Sequence, residues 1–250
     1  MDFRGKVALV TGAAVGTGRA IACSLAREGC HVAVNYSRSQ KEAEETAEEA
    51  RKLGVRALAV QADVANEAAV RKMVEDVVAE FGHLEILVNN AGVTVFVPHH
   101  DLEALRDEDW DRIFGVNLKG AFYATRACVP HLKKAGGAIL NVSSVAGVYA
   151  TGSSLPYCAS KAALNNMTVA LARALAPEIR VNAVAPGFID TRWWKEREGY
   201  EVVKKFAAER APLRRVCQPE DVAHVALELL RSDVVTGQVV VVDAGLGIAV

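Results

Sequence analysis

The 250-residue sequence lacks an excess of charge of either sign and lacks any long apolar run. Its 29 lysines and arginines stand against 30 aspartates and glutamates, so there is no basic field for nucleic acid or a membrane surface. The longest apolar stretches, such as Val239 to Val242, are far shorter than the roughly 18 residues of a membrane helix. Strand-like sequence already begins at Lys6, which leaves no room for a signal peptide. We therefore expect a cytoplasmic protein with neither nucleic acid nor a membrane as partner.

Cysteine and metal-binding patterns are also scarce. The five cysteines are odd in number and include no CxxC pair, so they predict neither a disulfide framework nor a zinc site. We interpret them as small buried hydrophobic residues. The adjacent His99 and His100 have no HExxH pattern around them and are interpreted as loop residues. No GxSxG elbow is present, which disfavours a serine hydrolase, and no metal is expected.

What the sequence does contain is a regular alternation of short apolar runs and longer segments of helical pattern. Strands are predicted at Val7 to Val10, Val32 to Asn35, Arg56 to Val60, Ile86 to Asn89, Ala138 to Val142, Val181 to Val184 and Val239 to Val242. Helices are predicted at Gly18 to Glu28, Lys41 to Leu53, Glu67 to Phe81, Asp109 to Lys134, Leu155 to Leu175 and Pro219 to Arg231. Continuous β-branched runs are typical of parallel strands buried on both faces. The pattern predicts one α/β domain over residues 1–250, a doubly wound, seven-stranded parallel sheet with helices on both faces.

The first predicted strand leads into a glycine-rich segment that opens a helix. This segment reads Thr11-Gly12-Ala13-Ala14-Val15-Gly16-Thr17-Gly18. Glycines allow a tight turn and close approach of the backbone to a diphosphate, which the amino end of the helix stabilises. No Lys-Ser or Lys-Thr follows the last glycine, which disfavours a P-loop. The segment therefore indicates a dinucleotide site.

A second group of residues indicates acid-base chemistry. Tyr157 and Lys161 stand four apart in a predicted helix, so both project from one face. A neighbouring ammonium is expected to lower the pKa of the phenol, which is about 10 in a free tyrosine. Ser144 follows a predicted strand and can hydrogen-bond a substrate oxygen, whereas Ser143 is expected to point to the opposite face.

Further short motifs occur in a fixed order along the chain. They are the TGxxxGxG segment at Thr11 to Gly18, Asp63-Val64, Asn89-Asn90-Ala91-Gly92, Asn117, Ser144, Tyr157-x-x-x-Lys161, and Pro186-Gly187 followed by Thr191. With these motifs the sequence resembles the short-chain dehydrogenase/reductase family over essentially its whole length. One departure is Thr17, where the family usually has Ile or Leu, and we expect it to change the packing of the turn only slightly.

The resemblance implies a Rossmann fold, hydride transfer between a nicotinamide and a carbonyl or secondary alcohol, and a homotetramer. It assigns Asn117 to a water-linked proton relay, Ser144 to the substrate oxygen, Tyr157 to proton transfer, and Lys161 to Tyr157 and the nicotinamide ribose. It implies that Asp63 and Val64 contact adenine, Asn90 the adjacent ribose, and Ile189 and Thr191 the nicotinamide amide. Together, the residues and the resemblance predict the cofactor-binding residues Gly12, Val15, Gly16, Thr17, Gly18, Ser37, Arg38, Asp63, Val64, Asn90, Ala91, Gly92, Tyr157, Lys161, Pro186, Gly187, Ile189 and Thr191.

The end of the second strand bears on the choice of cofactor. A carboxylate there would hydrogen-bond the ribose hydroxyls of NAD and repel a 2′-phosphate. The sequence instead reads Asn35-Tyr36-Ser37-Arg38, with a hydroxyl and a guanidinium that suit a phosphate dianion. NADP(H) is therefore favoured. NAD(H) stays possible if Arg38 only points into solvent.

The substrate is predicted less sharply. A substrate loop is expected at about residues 190–213, and its segment Arg192 to Arg197 mixes tryptophans with positive charge. The segment is either a lid that contacts a hydrophobic or anionic substrate, or a place where the tryptophans pack against the body or a neighbouring subunit.

The general pattern, including the ending Thr236 to Asp243, resembles 3-oxoacyl-acyl-carrier-protein reductases most. Ala135 and Glu178 stand where those enzymes carry basic residues for the carrier protein, although Lys133 and Lys134 lie nearby. A small diffusible ketone or alcohol is therefore favoured, with the carrier-protein substrate as the alternative. A nucleotide-sensing protein without catalysis is the alternative from another class. The apolar run Val239 to Val250 could bury an oligomer interface.

Overall fold

A seven-stranded parallel sheet lies at the centre of the computed structural model, which describes residues 1–195 and 199–249. The strands are β1 (Val7–Val10), β2 (His31–Tyr36), β3 (Ala57–Gln61), β4 (Ile86–Asn89), β5 (Ala138–Val142), β6 (Arg180–Pro186) and β7 (Val239–Val242). Their order is β3-β2-β1-β4-β5-β6-β7, and every neighbouring pair is parallel. The predicted doubly wound sheet is confirmed.

Helices cover both faces of this sheet. They are α1 (Gly16–Arg27), α2 (Gln40–Lys52), α3 (Glu67–Phe81), α4 (Asp107–Phe114), α5 (Ala121–Ala135), α6 (Ala146–Tyr149), α7 (Leu155–Leu175), α8 (Arg192–Lys195), α9 (Tyr200–Arg210) and α10 (Pro219–Arg231). One apolar cluster joins the sheet to α1, α2 and α10, and the other joins it to α3, α5 and α7. Alternate residues of β1 enter the two clusters, Ala8 and Val10 in the first and Val7 and Leu9 in the second. No helix among the described residues is long and apolar enough to cross a bilayer.

The helix predicted at Asp109 to Lys134 is present, but it is not α-helical throughout. A π-helical turn, Gly115–Gly120, joins α4 to α5. A π turn is a local change to i→i+5 hydrogen bonds inside a continuous helix, and the sequence pattern did not predict it. Gly120 lets the turn approach the segment after β3, because a Cβ atom there would lie 2.8 Å from Val64 Cγ2.

The predicted substrate loop at about residues 190–213 is in fact partly helical, since it contains α8 and α9. Glu196 to Glu198 of this segment, and Val250 of the predicted carboxyl-terminal apolar run, lie outside the described residues. The short α6 was also not predicted. All five cysteines are buried, as expected, and His99 and His100 do lie in a loop.

Candidate active site

The predicted site residues meet at the carboxyl ends of the strands. The sheet is built outward in both directions from β1 and β4, so the connections that follow these two strands leave toward opposite sides. Such a reversal opens a crevice at the carboxyl ends, where ligands of doubly wound sheets bind. The segments after β1, β4, β5 and β6 all reach this crevice.

The glycine-rich segment presents an open helix end to the crevice. Helix α1 begins at Gly16, its N-cap residue Val15 is extended and supplies no side-chain hydrogen bond, and its first turn has no acidic residue. Gly12 and Gly16 both have a φ of +60°, a conformation that favours glycine. The first amides of a helix need acceptors, and the helix dipole makes this end positive. These residues fit a dinucleotide diphosphate.

The segment after β4 is hydrogen-bonded to the glycine-rich segment. Asn90 Nδ2 donates hydrogen bonds of 2.9 Å to the carbonyls of both Thr11 and Gly12. A Cβ atom on Gly18 would lie 2.3 Å from this amide nitrogen, and one on Gly12 would lie 2.9 Å from Ala91 Cα. The amide nitrogen of Asn90 thus shapes the turn, and the ribose contact assigned to Asn90 stays a prediction.

The end of β2 presents Ser37 and Arg38 to solvent. Asn35 is buried instead, where it accepts a hydrogen bond from Gly12 N at 3.1 Å and donates one to Ala62 O at 3.1 Å. Arg38 makes no hydrogen bond or ion pair with any residue that the structure describes. After β3, Asp63 Oδ1 accepts a hydrogen bond from Ala65 N at 2.9 Å. A hydroxyl and an unpaired guanidinium therefore mark the end of β2, and this pair fits a phosphate group.

Helix α7 positions the tyrosine and the lysine. Tyr157 lies in its first turn, where Ser154 caps the helix by accepting a hydrogen bond from Tyr157 N at 3.4 Å. Sequence analysis did not assign this cap, although a Ser two residues before Pro156 at the start of an apolar run is a helix-start signal. The cap fixes the residue that carries the phenol.

Three catalytic candidates lie close together. Ser144 lies close enough to Tyr157 for its hydroxyl to lower the pKa of the phenol, and its Oγ donates a hydrogen bond to Pro186 O at 3.5 Å. Lys161 Nζ lies 5.8 Å from the centroid of the Tyr157 ring and donates a hydrogen bond to Val142 O at 2.8 Å. Ser143 turns away and donates to Lys161 O at 3.3 Å. The structure thus brings Ser144, Tyr157 and Lys161 together on one side of β5.

The pKa values of this group differ from the expectation. Burial raises the pKa of Tyr157 to about 12, and the nearby Ser144 hydroxyl acts in the opposite direction. Burial lowers the pKa of Lys161 to about 8. The prediction that the pKa of Tyr157 is lowered is therefore wrong for this arrangement, because desolvation raises it and Lys161 is not among the groups that shift it. Near neutral pH the phenol is protonated, so it can donate a proton.

Asn117 lies in the π-helical turn and is buried. Its Oδ1 accepts a hydrogen bond from Val93 N at 2.8 Å, and its Nδ2 donates to Val93 O at 3.0 Å and to Ser160 Oγ at 3.1 Å. The side chain thus clamps the segment after β4 to the turn and to α7. A Cβ atom on Gly92 would lie 3.5 Å from Asn117 Oδ1 and 3.7 Å from Lys161 Nζ. Its place in a proton relay stays a prediction.

The segment after β6 closes the crevice from the other side. Gly187 N donates a hydrogen bond to Val242 O at 3.0 Å, and Pro186 O accepts one from Val145 N at 2.9 Å. Ile189 is buried. The Thr191 side chain approaches the glycine-rich segment, with its Cγ2 3.6 Å from the position of a Cβ on Gly16.

The two tryptophans of α8 have different contacts. Trp194 stacks on Phe188, with ring centroids 5.0 Å apart, and meets the edge of Phe96 at 5.4 Å. Trp193 lies beside Tyr157, with ring centroids 6.1 Å apart. Trp194 therefore packs against the body of the protein, which is one of the two alternatives that the sequence left open. Trp193 lies beside Tyr157, where the other alternative, a lid over the substrate, would lie. A cleft of about 670 Å³ opens here between residues 96–99, residues 150–153 and Trp194.

Comparison with known proteins places this geometry in a family. The family model described as Enoyl-(Acyl carrier protein) reductase matches residues 12–247. A solved structure from Burkholderia xenovorans, described as a short-chain dehydrogenase/reductase, has a TM-score of 0.92 and 36% identity, with 98% of each chain covered. The chain belongs to the short-chain dehydrogenase/reductase family.

Other members of this family are similar over nearly the whole chain. A Streptomyces violaceoruber protein named as ketoacyl reductase 2 of the granaticin polyketide synthase is 44% identical, with 96% of this chain and 95% of the relative covered. The 3-oxoacyl-(acyl-carrier-protein) reductase of Thermotoga maritima is 40% identical, with 98% and 99% covered. A Sinorhizobium meliloti structure described as a short-chain alcohol dehydrogenase has a TM-score of 0.92 and 35% identity, with 100% and 99% covered. The protein is accordingly a nicotinamide-dependent oxidoreductase of CH–OH or C=O groups, and it resembles 3-oxoacyl-(acyl-carrier-protein) reductases.

Proposed function

We propose that this protein is an NADPH-dependent ketone reductase that uses Ser144, Tyr157 and Lys161. One observation carries the proposal: a protonated phenol, close to the Ser144 hydroxyl and the Lys161 ammonium, stands at the crevice that also receives the open amino end of α1. A proton donor beside a dinucleotide site is the arrangement that carbonyl reduction needs.

The division of labour follows from the side chains. When bound, the nicotinamide supplies the hydride that reaches the carbonyl carbon. The Ser144 hydroxyl donates a hydrogen bond to the carbonyl oxygen, where negative charge develops. The Tyr157 hydroxyl delivers its proton to the same oxygen, which leaves a secondary alcohol. The Lys161 ammonium stabilises the phenolate that this transfer leaves behind. In the alcohol-oxidising direction the same groups act in reverse.

The preference for NADPH rests on the end of β2. Ser37 and Arg38 are exposed there, and Arg38 has no partner among the described residues. An unpaired guanidinium gains charge-assisted hydrogen bonds from a 2′-phosphate, and no carboxylate of β2 repels that phosphate.

A second candidate is reduction of a β-ketoacyl thioester held by an acyl carrier protein. The names of the relatives that are 40% and 44% identical favour it. Against it, Ala135 at the end of α5 and Glu178 before β6 offer no positive charge to an acidic carrier, although the exposed Lys133 and Lys134 are close. We therefore place a diffusible ketone first.

The proposal is tested by following the absorbance of NADPH, and in parallel of NADH, with a panel of substrates. The panel contains cyclic ketones, β-keto esters, sugars, steroids, acetoacetyl-coenzyme A and an acetoacetyl carrier protein. We expect turnover of diffusible ketones with a higher kcat/KM for NADPH. Turnover of the carrier-bound thioester alone would favour the second candidate. Tight binding of NADPH without oxidation by any member would instead support a nucleotide-sensing protein.

A further inference from the structure

Helix α7 contacts the segment after β5 through side chains at four-residue intervals. Tyr157, Lys161 and Asn165 lie on one face of this helix, because residues four apart in an α-helix share a face. Tyr157 lies close to Ser144, and Lys161 Nζ donates a hydrogen bond of 2.8 Å to the last carbonyl of β5. Asn165 Nδ2 donates one to Gly147 O at 3.0 Å. Asn165 thus adds a contact between the helix that carries the phenol and the segment that carries the serine.

The residues from Ser144 to Gly147 are tied to one another. Ser144 Oγ accepts a hydrogen bond from Ala146 N at 3.1 Å, and Ser144 O accepts one from Gly147 N at 3.0 Å. Gly147 lies directly on the backbone of α7, since a Cβ atom there would lie 2.5 Å from Lys161 C. A displacement of Gly147 relative to α7 would therefore carry Ser144 with it.

The Gly147 carbonyl belongs to α6, a single turn of four residues. A helix leaves the carbonyls of its last turn without partners inside the helix, and the Asn165 amide supplies a donor to that of Gly147. The same segment is also bound to β6, because Val145 N donates a hydrogen bond to Pro186 O at 2.9 Å. The segment is thus held by β6 and by α7, and Asn165 contributes the side-chain bond that joins α6 to α7.

Stability alone does not explain the asparagine at this position. Asn165 Oδ1 is buried and has no hydrogen-bond partner among the residues that the structure describes. A buried acceptor without a partner lowers the stability of a folded protein, which offsets the gain from the hydrogen bond to Gly147 O. An aliphatic side chain of similar size would avoid the unpaired acceptor. The Nδ2 donor of Asn165 therefore indicates a role in the arrangement of the site.

We propose that Asn165 is a positioning residue of the active site, whose amide holds the Gly147 carbonyl to α7 and thereby keeps the Ser144 hydroxyl in place beside the Tyr157 hydroxyl. Asn165 touches neither the substrate nor the reacting atoms in this account and acts through Ser144. The inference rests on the proposed ketone reduction and adds a residue to that same site.

The first test removes the donor of Asn165 and measures steady-state kinetics with NADPH. Asn165→Leu and the smaller Asn165→Ala both lack the amide, so the test does not depend on the folding of one variant. We expect kcat for the best ketone to fall by about threefold to tenfold, because the Ser144 hydroxyl acts in the chemical step. KM for the ketone and the dissociation constant of NADPH should change by less than about twofold, since the position of Ser144 affects the transition state more than binding.

A double-mutant cycle shows whether Asn165 acts through Ser144. In the Ser144→Ala background the hydroxyl that Asn165 positions is absent, so we expect Asn165→Leu to lower kcat no further. An equal fall in kcat with and without Ser144 would overturn the inference. So would an unchanged kcat in every Asn165 variant that folds.

A matched control and a stability measurement separate positioning from a merely structural role. Asn166→Leu makes the same substitution at the next residue, which is exposed, and should leave kcat unchanged. In Asn165→Leu the loss of one hydrogen bond and the removal of the unpaired Oδ1 have opposite effects, so the urea midpoint should stay near that of wild type. A lower midpoint with an unchanged kcat would assign Asn165 a structural role only and overturn the inference.

A signal that needs no turnover distinguishes this inference from the proposed function. Nuclear magnetic resonance of tyrosine isotopically labelled at Cζ reports the surroundings of each phenol, and Tyr157→Phe identifies the Tyr157 signal. We expect Asn165→Leu to move this signal at neutral pH toward its position in Ser144→Ala, and Asn166→Leu to leave it in place. If no ketone is reduced but the signal moves in this way, the proposed function fails and the positioning of Ser144 stands. If ketones are reduced and Asn165→Leu changes neither kcat nor the signal, the inference fails alone.

Discussion

At the residue scale, the free-energy cost of building the active site is concentrated in Lys161. Lys161 is 3% exposed, and its ammonium donates a hydrogen bond to the Val142 carbonyl at 2.8 Å, with no carboxylate of the described residues bonded to it. Burial of a charge with only a neutral partner disfavours the charged form, which is why the pKa of Lys161 falls to about 8. The active site therefore keeps a cation that the fold would be more stable without.

The free energy of unfolding should show this cost through its dependence on pH. In the unfolded chain a lysine has a pKa of about 10.4, so between pH 8 and 10 the unfolded state binds more protons and wild-type stability rises with pH. Below pH 8 Lys161 is charged in the folded protein too, so the full desolvation penalty lowers the free energy of unfolding. We expect Lys161→Met to raise the free energy of unfolding at pH 7 by about 1 to 3 kcal/mol, and this gain to shrink toward pH 10. Urea unfolding at several pH values measures it.

Exposed Lys41→Met is the matched control and should show no gain that depends on pH in this window. A difference between wild type and Lys161→Met that is constant from pH 7 to 10 would mean that Lys161 is not desolvated as described.

Arg38 is the residue on which cofactor choice depends. A charge-assisted hydrogen bond to a 2′-phosphate contributes about 1.5 to 3 kcal/mol. Arg38→Ala is therefore expected to raise KM for NADPH by about tenfold to a hundredfold and to leave KM for NADH unchanged. Arg173→Ala, at an exposed arginine near the end of α7, is the control. A wild-type preference for NADH would contradict the assignment.

At the element scale, the apolar pattern decided which elements could be predicted from the sequence. β5, β7 and α7 have the predicted ends, because short apolar runs and a long apolar stretch mark them. Helix α9 was not predicted, although Val203, Phe206 and Ala207 have the spacing of one helical face; of these three only Ala207 is buried. The π-helical turn was missed because it lies inside an otherwise continuous helix.

The site also has features that the sequence could predict and features that it could not. The grouping of Ser144 with Tyr157 and Lys161 could be predicted, because strand ends and a four-residue helical spacing determine it. The direction of the pKa shift of Tyr157 could not, since it depends on how much protein surrounds the ring. The clamp role of Asn117 also depends on tertiary contacts that no local pattern encodes.

Helix α9 is held over the site by a buried carboxylate. Asp190, 9% exposed, accepts hydrogen bonds from Tyr200 Oη at 2.5 Å and from Lys204 Nζ at 2.7 Å. These contacts raise the pKa of Lys204. Because Asp190 lies between Ile189 and Thr191, the clamp joins α9 to the segment assigned to the nicotinamide.

Variants that remove the hydrogen bonds of Asp190 should make α9 more mobile. We expect Asp190→Asn and Lys204→Met to speed amide hydrogen exchange in α9 and to raise KM for the ketone more than KM for NADPH. Glu201→Gln, at an exposed position of α9, should change neither quantity. Exchange in α9 that is as slow in Asp190→Asn as in wild type would show that other contacts hold the helix.

At the scale of the whole molecule, the β7 edge of the sheet is incompletely covered. All four valines of β7 are half-buried, and Ile248, just beyond it, is 74% exposed. An apolar edge strand tends to be covered by another chain. This geometry is consistent with the predicted oligomer, and the cytoplasmic location stays a prediction.

Light scattering on the purified chain tests the assembly. We expect a mass of about four times the 26.7 kDa of one chain, and Ile248→Glu should shift it to smaller species. Leu53→Glu, at an exposed leucine beside α2, is the control. A wild-type mass of one chain would contradict the tetramer.

The central claim is that the protonated Tyr157 completes ketone reduction, and Tyr157→Phe tests it most directly. The measurement is kcat for the best ketone together with the dissociation constant of NADPH, with Tyr149→Phe, an exposed tyrosine, as control. The account predicts a fall in kcat of about 10²- to 10⁴-fold with NADPH binding nearly unchanged. A Tyr157→Phe enzyme that keeps most of its kcat would contradict the account.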